Sequence, residues 1–439
     1  MKIKEVKIVV GSNYGDECKG LATHYFAQKA YKRYVKVSES QKRHEKVLNV
    51  LYNGGCQRGH TVELKTGGRH IFHHFGSGTF DHADTYFDLD FMVNPIFFNE
   101  EFFELRELFG ISPVSYTHPS CRFVTPYDMI LNQIIEERRG SDRHGSCGYG
   151  IFETRKRYEL KKYESVNYAI SVIGFYDMND AEKFKYLDRI RKEYVPKRLK
   201  DIGIVLREDS KWLEILNDDG IILQYIEDFK LMMELTALTN SVHLFPNYDT
   251  LIFEGGQGLA LDEDNMEDYP HLTPSHTGSS VPLKRLLTSG ADVDWENIEI
   301  CYVSRSYFTR HGAGNFPTEC KKEAINEDII DKTNVYNDFQ ENIRYGKFEK
   351  KSFIKRVFDD YYKSYKVCRD IAIIKNIEDF NITPSLFVSH LNYTDRDICG
   401  NTSLNDLSKY FTRMYMSDTK YAEDVKCIYR TYKNSAALH

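Results

Sequence analysis

The chain has 439 residues, with 59 Lys and Arg against 65 Asp and Glu, so its formal net charge is −6. Hydrophobic residues make up 41% and charged residues 28%, which is typical of a globular protein and excludes an extensively disordered one. The mild acidity argues against a nucleic-acid-binding protein, because such proteins gain affinity from basic surfaces that release counterions. No run of about 18 apolar residues occurs, so the sequence predicts no membrane-spanning helix and no membrane partner.

Cysteine usage and the N-terminus indicate the compartment. The nine cysteines are scattered without a C-x-x-C pair, so we expect reduced thiols and a cytoplasmic protein. The first apolar run, Ile8 to Val10, is too short for a signal peptide and is typical of a first β-strand.

Short apolar runs that end in glycine or polar residues alternate with helical segments along the chain. The first run is Val6–Val10, and a predicted helix follows it over Leu21–Tyr34. Further strands are predicted at Val47–Tyr52, at the HIFHHF run His70–Phe75, and at Thr250–Phe253, Ile298–Val303 and Leu386–Val388. This order predicts an α/β fold, one large domain over residues 1–439 around a central, mostly parallel β-sheet. Ligands bind at the carboxyl ends of the strands in such sheets.

Residues 156–238 differ from the rest of the chain. This stretch is rich in Lys, Glu, Tyr and Leu, is poor in glycine and proline, and has helical periodicity. We interpret it as a helical insertion at the edge of the sheet, with its charge runs on solvated helix faces.

The first of five glycine-rich segments is Gly11–Gly20, between a predicted strand and a predicted helix. Its glycines let the backbone approach an anion, and the helix N-terminus contributes N–H groups. Lys19 can neutralise phosphate oxygens, although the Walker spacing is absent. Asp16 and Glu17 are unusual here, because a carboxylate lowers phosphate affinity unless it binds Mg²⁺ or accepts a substrate proton.

The second segment, Asn53–Thr61, also follows a predicted strand and offers amide, guanidinium and imidazole groups together. His60, flanked by Gly59, is suited to act as an acid or electrophile. The remaining segments are Arg143–Gly150, Phe253–Gly258 and Thr309–Glu319. Five such segments exceed what turns require, so they predict a phosphate-rich site assembled from strand ends.

Taken in order, the motifs GDE-x-KG, GG-x-x-x-GHTV, G-[ST]-x-G-x-G-I, FEG-x-QG and TR-x-GAG-x-FPTE resemble adenylosuccinate synthetase. The matches run from Val9 to about Glu349. The resemblance implies a single large α/β domain and a homodimer with its sites near the interface. It also implies a ligase that phosphorylates O6 of a purine nucleoside monophosphate with a nucleoside triphosphate. The amine of L-aspartate then displaces phosphate at C6.

The resemblance assigns roles to individual residues. Asp16 matches the general base that removes the N1 proton and contacts Mg²⁺, and His60 matches the acid that stabilises the transferring phosphoryl group. The Gly59 carbonyl matches a Mg²⁺ ligand, and Lys19 falls on the loop position that faces the phosphates. Gln257 matches a monophosphate contact and is grouped with the catalytic residues. The other matches to nucleotide-binding positions are Gly15, Gly20, Gln57, Ser146, Cys147, Thr273, Arg310 and Arg344.

Several departures from the common family pattern point to its phage-type branch, which joins aspartate to dGMP on the way to a diaminopurine deoxynucleotide. Cys18 replaces a loop glycine, Gln57 replaces an asparagine, and the arginine cluster is reduced to Arg344. The segments that resemble this branch are Arg143–Thr154, Thr309–Gly314 and NDFQENIRYGKFE. Members of that branch commonly lack the base carboxylate, whereas this chain keeps Asp16. A phage-encoded enzyme would act in the host cytoplasm.

The family's guanine-reading T-K-x-D appears here as Ser389–Asn392, with His390 and Asn392 expected at the triphosphate base. The Asn392 amide offers one acceptor and one donor group, whereas a carboxylate accepts two N–H bonds from guanine. This change favours ATP or dATP over GTP. The expected ligands are therefore dGMP or IMP, ATP, dATP or GTP, L-aspartate and Mg²⁺.

Two alternatives remain open: an ordinary adenylosuccinate synthetase that uses IMP and GTP, and a nucleotide-binding sensor without turnover. The residues that favour an enzyme are Asp16, Lys19, His60, Gln257 and Arg310. A switch-type GTPase is disfavoured by the missing Walker spacing. A zinc site at the HIFHHF histidines is disfavoured because no second Cys/His set completes it.

Overall fold

Parallel strands covered by helices on both faces need apolar side chains at nearly every position. In the computed structural model of the protein, all residues of the strands Val47–Leu51 and Ile298–Arg305 are buried, and most of them are apolar. The structure describes residues 2–36, 38, 41–140, 146, 148–160, 167–332, 342–374, 376–377 and 380–429.

Strands and helices alternate along most of the described chain. The strands are β1 (Glu5–Gly11), β2 (Tyr34–Lys36), β3 (Lys42–His44), β4 (Val47–Leu51), β5 (His60–Leu64), β6 (Gly68–Phe72), β7 (Asp84–Phe87), β8 (Met92–Val93), β9 (Ser115–Thr117), β10 (Arg122–Phe123), β11 (Ala237–Leu238), β12 (Thr250–Gly258), β13 (Ile298–Arg305), β14 (Phe308–Arg310), β15 (Glu319–Cys320), β16 (Arg344–Gly346), β17 (Ile382–Ser389), β18 (Arg413–Met416) and β19 (Lys426–Tyr429). The helices are α1 (Lys19–Tyr31), α2 (Pro95–Phe109), α3 (Pro126–Arg139), α4 (Ile151–Glu159), α5 (Val172–Tyr176), α6 (Asp180–Arg189), α7 (Val195–Asp201), α8 (Lys211–Asn217), α9 (Asp219–Leu235), α10 (Ser241–Leu244), α11 (Ser280–Thr288), α12 (Lys350–Ile374) and α13 (Leu404–Leu407).

Ten strands form one central sheet in the order β11-β9-β7-β4-β12-β1-β13-β17-β18-β19. Neighbouring strands run parallel, except that β19 is antiparallel to β18. The predicted α/β fold with a central, mostly parallel sheet is confirmed. The carboxyl ends of β4, β12, β1, β13 and β17 lie side by side, and four of the predicted segments begin there or lie there.

Alternate residues of the central strands face opposite layers. Val9 packs with Leu21 and Phe26 of α1 on one side of the sheet. Ile8 belongs to the core on the other side, which contains residues of α11 and α12 such as Leu283. The two helical layers exclude water from both faces, so the strand ends remain the sites where polar groups can gather.

The prediction that HIFHHF forms a strand of the central sheet is wrong. Its first residues lie in β6, which pairs antiparallel with β5 in a separate two-stranded ribbon. Three residues, Lys65 to Gly67, join these strands, and Gly67 has a φ of +97°. So short a connection allows only a hairpin, since a parallel neighbour needs a crossover of a dozen or more residues.

Helices α5 to α9 occupy Val172–Leu235 and pack on α2 and α3 through apolar residues such as Tyr225 and Phe229. That this helical part is an insertion into the fold stays a prediction. Of the helices described, none combines the length and the apolar character that a membrane span needs.

Helix α1 approaches β5 so closely at Gly20 that no side chain fits between them. A Cβ at Gly20 would lie 2.9 Å from the Thr61 carbonyl oxygen and 3.0 Å from the His60 carbonyl carbon. Both neighbours are backbone atoms, which cannot rotate away. The glycine therefore sets the spacing between the segment Gly11–Gly20, which we call the phosphate-type loop, and the strand that begins at His60.

We expect Gly20→Ala to destabilise the fold by about 1–3 kcal/mol, because overpacking forces the backbone apart. The matched control is Gly174→Ala in α5, where a Cβ would make only ordinary contacts at 3.5 Å or more. Urea unfolding measures both variants. Equal stability of the Gly20 and Gly174 variants would contradict the close approach.

Candidate active site

The loop between β1 and α1 satisfies its own backbone donors. The Glu17 carboxylate accepts hydrogen bonds from the N–H groups of Asn13 (2.9 Å) and Gly15 (3.0 Å). The Lys19 ammonium donates to the Gly15 carbonyl at 2.5 Å and lies 4.0 Å from Glu17 Oε2. Burial raises the pKa of Glu17 and lowers that of Lys19. The N–H groups of the loop therefore already point at one negative charge, the Glu17 carboxylate, and an incoming phosphate would meet donors that are aligned in advance.

Asp16 points away from this internal network. Arg305 Nε (2.6 Å) and Thr309 Oγ1 (3.2 Å) donate hydrogen bonds to its main-chain carbonyl. Its carboxylate is about one-fifth exposed, with Oδ2 3.4 Å from His311 Nε2. The backbone of Asp16 is thus fixed by β13 and β14, while its side chain can reach a ligand.

His60 is held by a buried carboxylate of the neighbouring strand. Its Nδ1 lies 2.6 Å from Oε1 of Glu254, and Ser77 donates to the same carboxylate through Oγ (2.5 Å) and through N–H (3.0 Å). Arg58 Nη2 is 3.5 Å from Glu254 Oε2. His60 Nε2 has no hydrogen-bond partner among the described residues.

The electrostatics of this cluster fix the protonation state of His60. Burial, followed by the charge of Arg58, lowers the pKa of His60 to about 3. Burial alone would raise the pKa of Glu254, but Arg58 together with His60 and Ser77 lowers it to about 2. At neutral pH the ionised Glu254 therefore accepts the Nδ1–H proton of a neutral His60. Nε2 then carries a lone pair that accepts no hydrogen bond from the described residues.

Glu254 and Arg58 are candidate functional residues that the sequence interpretation did not single out. Both lie inside the family motifs, and both are charged residues in otherwise apolar, glycine-rich surroundings. Glu254 is fully buried, and Nε and Nη1 of Arg58 have no hydrogen-bond partner in the part of the chain described. Glu254 lies within the buried strand β12 and Arg58 in the loop before β5, and a charged residue inside such an apolar or glycine-rich motif was the signal that could have identified them.

The segment Phe253–Gly258 lies within β12 rather than in a loop after it. The pairing of β12 with β1 shifts register between Glu254 and Gly258, as in a β-bulge. This irregularity brings the Gln257 side chain to the phosphate-type loop, where a Cβ on Gly15 would lie 3.1 Å from Gln257 Oε1. Asn53 Oδ1 accepts a hydrogen bond from the Gly256 N–H at 2.8 Å. Three of the predicted segments therefore meet here.

The sequence of this chain is similar to sequences of known proteins. The family model described as adenylosuccinate synthetase matches residues 8–344. The chain belongs to the adenylosuccinate synthetase family. It is 27% identical over 348 residues to the adenylosuccinate synthetase of Prochlorococcus marinus (strain MIT 9312), which covers 74% of this chain and 66% of that enzyme. The match thus spans just under two thirds of the length of this relative.

Two solved structures of adenylosuccinate synthetase type share the fold. Fully ligated adenylosuccinate synthetase from Plasmodium falciparum aligns with 97% of this chain and 87% of its own, at 15% identity and a TM-score of 0.57. Succinoaminodeoxyadenylate synthetase of cyanophage S-2L, bound to dGMP and dATP, aligns with 97% of this chain and 95% of its own. For that pair the identity is 12% and the TM-score is 0.58.

Two of the arginines predicted by family resemblance hold the segment Thr309–Glu319 together. Arg310 donates to the carbonyls of Ala313 (3.2 Å) and Asn315 (2.8 Å). Arg344 donates to the Gly314 carbonyl at 2.9 Å and forms a bidentate pair with Glu319. Both guanidinium groups thus shape this segment from within, and their contact with a nucleotide stays a prediction.

The remaining predicted positions lie around this centre. His390 is half-buried and follows β17, whereas Asn392, two residues later, is exposed. The N–H of Thr273 donates to the Leu261 carbonyl at 2.8 Å, and Ser146 Oγ accepts from Asn132 Nδ2 at 2.7 Å. The segment Arg143–Gly150 comes between α3 and α4, so among the described residues it does not follow a strand as predicted, and Arg143 to Gly145 lie outside them. Cys147 lies outside the described residues.

The histidines of HIFHHF hold local structure. Glu101 accepts the N–H groups of His73 and His74 and lies 3.3 Å from His70 Nε2. His74 Nε2 accepts the Asn94 N–H at 2.9 Å. Within the described part of the chain these histidines belong to no group of metal-ligating side chains.

The buried neutral imidazole predicts how stability depends on pH. The folded-state pKa of His60 is about 3, below its ordinary value, so only the unfolded state takes up this proton near pH 6. Stability is therefore lost as pH falls from about 6.5 toward 3. One such group contributes at most about 1.4 kcal/mol per pH unit.

When the pH is lowered from about 6 to about 5, the free energy of unfolding should fall in the unmodified protein. We expect this fall to be smaller in His60→Gln, by about 1 kcal/mol. Urea unfolding at both pH values measures this difference. The exposed His243, replaced by Gln, is the matched control. An unchanged pH slope in the His60 variant would contradict the neutral buried state.

Proposed function

We propose that this protein is a C–N ligase that joins L-aspartate to C6 of a purine nucleoside monophosphate, driven by a nucleoside triphosphate. The observation that carries the proposal is the geometry of His60. Its Nδ1–H is bound to Glu254, its Nε2 has no partner among the described residues, and its backbone contacts Gly20 of the phosphate-type loop. Family membership supports the same reaction class.

The chemistry explains why both a base and a phosphate-facing imidazole are needed. The C6 oxygen of a purine lactam is a very poor leaving group, so it must first be phosphorylated. Asp16 takes the N1 proton, O6 attacks the γ-phosphorus, and the nucleoside diphosphate leaves. The amine of L-aspartate then adds at C6, phosphate leaves, and the amine loses its proton. Each bond formed is balanced by a bond broken.

His60 acts on the first of these steps. Negative charge on the phosphoryl oxygens raises the proton affinity of Nε2, while Glu254 already stabilises the opposite side of the ring. The imidazole can then take up a proton from solvent at Nε2 and donate it in a hydrogen bond to an oxygen of the transferring group. Lys19 adds a fixed positive charge at the loop.

The oxygen donors near the loop suit Mg²⁺. The Asp16 carboxylate is partly exposed, and Gly59, whose carbonyl is the second candidate ligand, is exposed on the segment that precedes His60. Carboxylate and carbonyl oxygens are ligands that Mg²⁺ takes, with substrate phosphates completing its shell. A bound Mg²⁺ would neutralise charge on the triphosphate.

For substrates we propose dGMP with ATP or dATP. The motifs that resemble the phage-type branch support this choice, and the cyanophage S-2L enzyme of the same fold binds dGMP and dATP. The ordinary pair, IMP and GTP, is the alternative, because the Prochlorococcus relative is named adenylosuccinate synthetase. Asn392, exposed after β17, favours adenine.

We also propose a homodimer. Of the two arginines of α4 that could extend toward a partner subunit, Arg157 is fully buried and binds Asp128 of its own chain. Arg155 is about one-quarter exposed and pairs with Glu263. Arg155, which also pairs with Glu159, is the more exposed of the two and is therefore the one we propose to face a partner subunit.

A turnover assay tests the proposed function directly. IMP, GMP, dGMP and dIMP are each combined with ATP, dATP or GTP, Mg²⁺ and aspartate, and products are identified by mass. Asp16→Asn should lower turnover about 10²–10⁴-fold while nucleotides still bind, because the amide keeps the shape but cannot take the N1 proton. Nucleotide binding without product in the unmodified protein would indicate a sensor instead.

The triphosphate preference has its own test. We expect ATP or dATP to be preferred over GTP, and Asn392→Asp to shift the preference toward GTP by about 10–100-fold, because a carboxylate accepts two guanine N–H groups. Competition kinetics between ATP and GTP measure this ratio. A tenfold preference of the unmodified protein for GTP would contradict the assignment of Asn392.

A further inference from the structure

One residue of the phosphate-type loop and one residue after β17 have an unusual backbone and contact each other. Cys18 has a φ of +64° and His390 a φ of +61°, both in the left-handed region that favours glycine. They are two of only six non-glycine residues with positive φ in the described part of the chain. Such conformations persist where the surrounding structure requires them, and they concentrate at functional sites.

The contact joins two strand ends that are far apart in sequence. Cys18 Sγ lies 3.5 Å from His390 Nδ1, across 372 positions of the chain. Cys18 follows β1 and His390 follows β17, and the two strands flank β13 in the sheet. Ser306 Oγ donates to the His390 carbonyl at 3.0 Å, which fixes the turn from the β13 side.

Arg305 reinforces the same connection. Its Nε donates to the Asp16 carbonyl at 2.6 Å, and both terminal nitrogens lie 3.0 Å from Asp331 Oδ2. Burial raises the pKa of the Cys18 thiol, and burial together with the charge of Arg305 lowers the pKa of His390 to about 3. The pair is therefore a thiol beside a neutral imidazole, which allows S–H to donate to Nδ1. Ser389 Oγ lies 3.1 Å from the same nitrogen and can donate instead to the Ser304 carbonyl at 3.4 Å.

The presence of a cysteine side chain at position 18 needs a structural explanation. A glycine, which the family pattern has at this position, adopts left-handed backbone without cost, whereas cysteine does not. The cysteine also leaves the N-terminus of α1 without a side-chain cap. Neither the backbone nor the helix gains from the thiol, so its contact with His390 is what remains to explain it.

We propose that Cys18 is a positioning residue that couples the phosphate-type loop to the turn that carries Asn392. The contact holds the base-reading turn at a fixed distance from the loop, so base and phosphates of one triphosphate are bound together. This inference rests on the proposed function of the same site, because it concerns the triphosphate.

Binding measurements separate this coupling from catalysis. We expect Cys18→Gly to weaken the binding of ATP by about 3–10-fold, which corresponds to the loss of one hydrogen bond. The binding of inorganic tripolyphosphate should not be weakened. The thermal midpoint should stay equal or rise, because glycine suits the left-handed backbone. Cys18→Ser, which keeps a donor, should restore part of the ATP affinity. Asn376→Gly, at another left-handed residue outside the site, is the control for strain alone.

A double variant tests whether Cys18 acts through the turn. Cys18→Gly combined with Asn392→Ala should bind ATP no more weakly than Asn392→Ala alone. Equal losses for ATP and tripolyphosphate, additive losses in the double variant, or unchanged ATP affinity in Cys18→Gly would each overturn the coupling. If the protein binds ATP but forms no product, the proposed function is refuted. The comparison of ATP and tripolyphosphate affinities still tests the coupling, because it needs only binding.

Discussion

The carboxylate of Glu254 is the group on which the site depends most. It is fully buried and receives hydrogen bonds from His60 of β5 and from Ser77, with Arg58 nearby. Its neutralisation would leave the buried Arg58 charge without compensation and His60 without a fixed tautomer. One buried charge therefore joins the central sheet to the hairpin that presents the imidazole, and the chemistry of the site follows from it.

The order and register of the strands in the central sheet determine where a buried carboxylate such as Glu254 can lie. Residue Val9 of β1 pairs with Glu254 of β12, and β4 pairs with the other side of the same strand. Because these strands are parallel and covered on both faces, polar groups gather at their carboxyl ends. The register shift after Glu254 then turns Gln257 toward Gly15. The position of the catalytic candidates is thus a consequence of strand order and register.

The central strands could be predicted from sequence, because a strand buried on both faces is an apolar run. The shorter strands β7, β9 and β18 carry polar residues and lie nearer the edges of the sheet, so no such pattern marked them. The loop with Asp16 and Lys19 could be identified from its glycines and charges. Pairings such as Cys18 with His390 could not, because 372 positions separate them and only strand order brings them together.

At this site, sequence motifs do not predict what the arginines contact. Arg310 lies in a segment that a motif places near substrates, yet its donors bind carbonyls of that segment. A motif records that a guanidinium is present, whereas its role depends on which acceptors surround it. Arg58, which no motif role covered, is the arginine whose charge acts directly on His60 and Glu254.

Positional isotope exchange tests most directly whether phosphoryl transfer to the purine is a separate first step at this site. Triphosphate labelled with ¹⁸O in the β,γ bridge is incubated with Mg²⁺ and the monophosphate that the turnover assay selects, without aspartate. We predict that the label moves into β non-bridging positions, that this needs the monophosphate, and that His60→Asn slows it by orders of magnitude. Ligation in the complete mixture without any such exchange, or full exchange in the His60 variant, would contradict it.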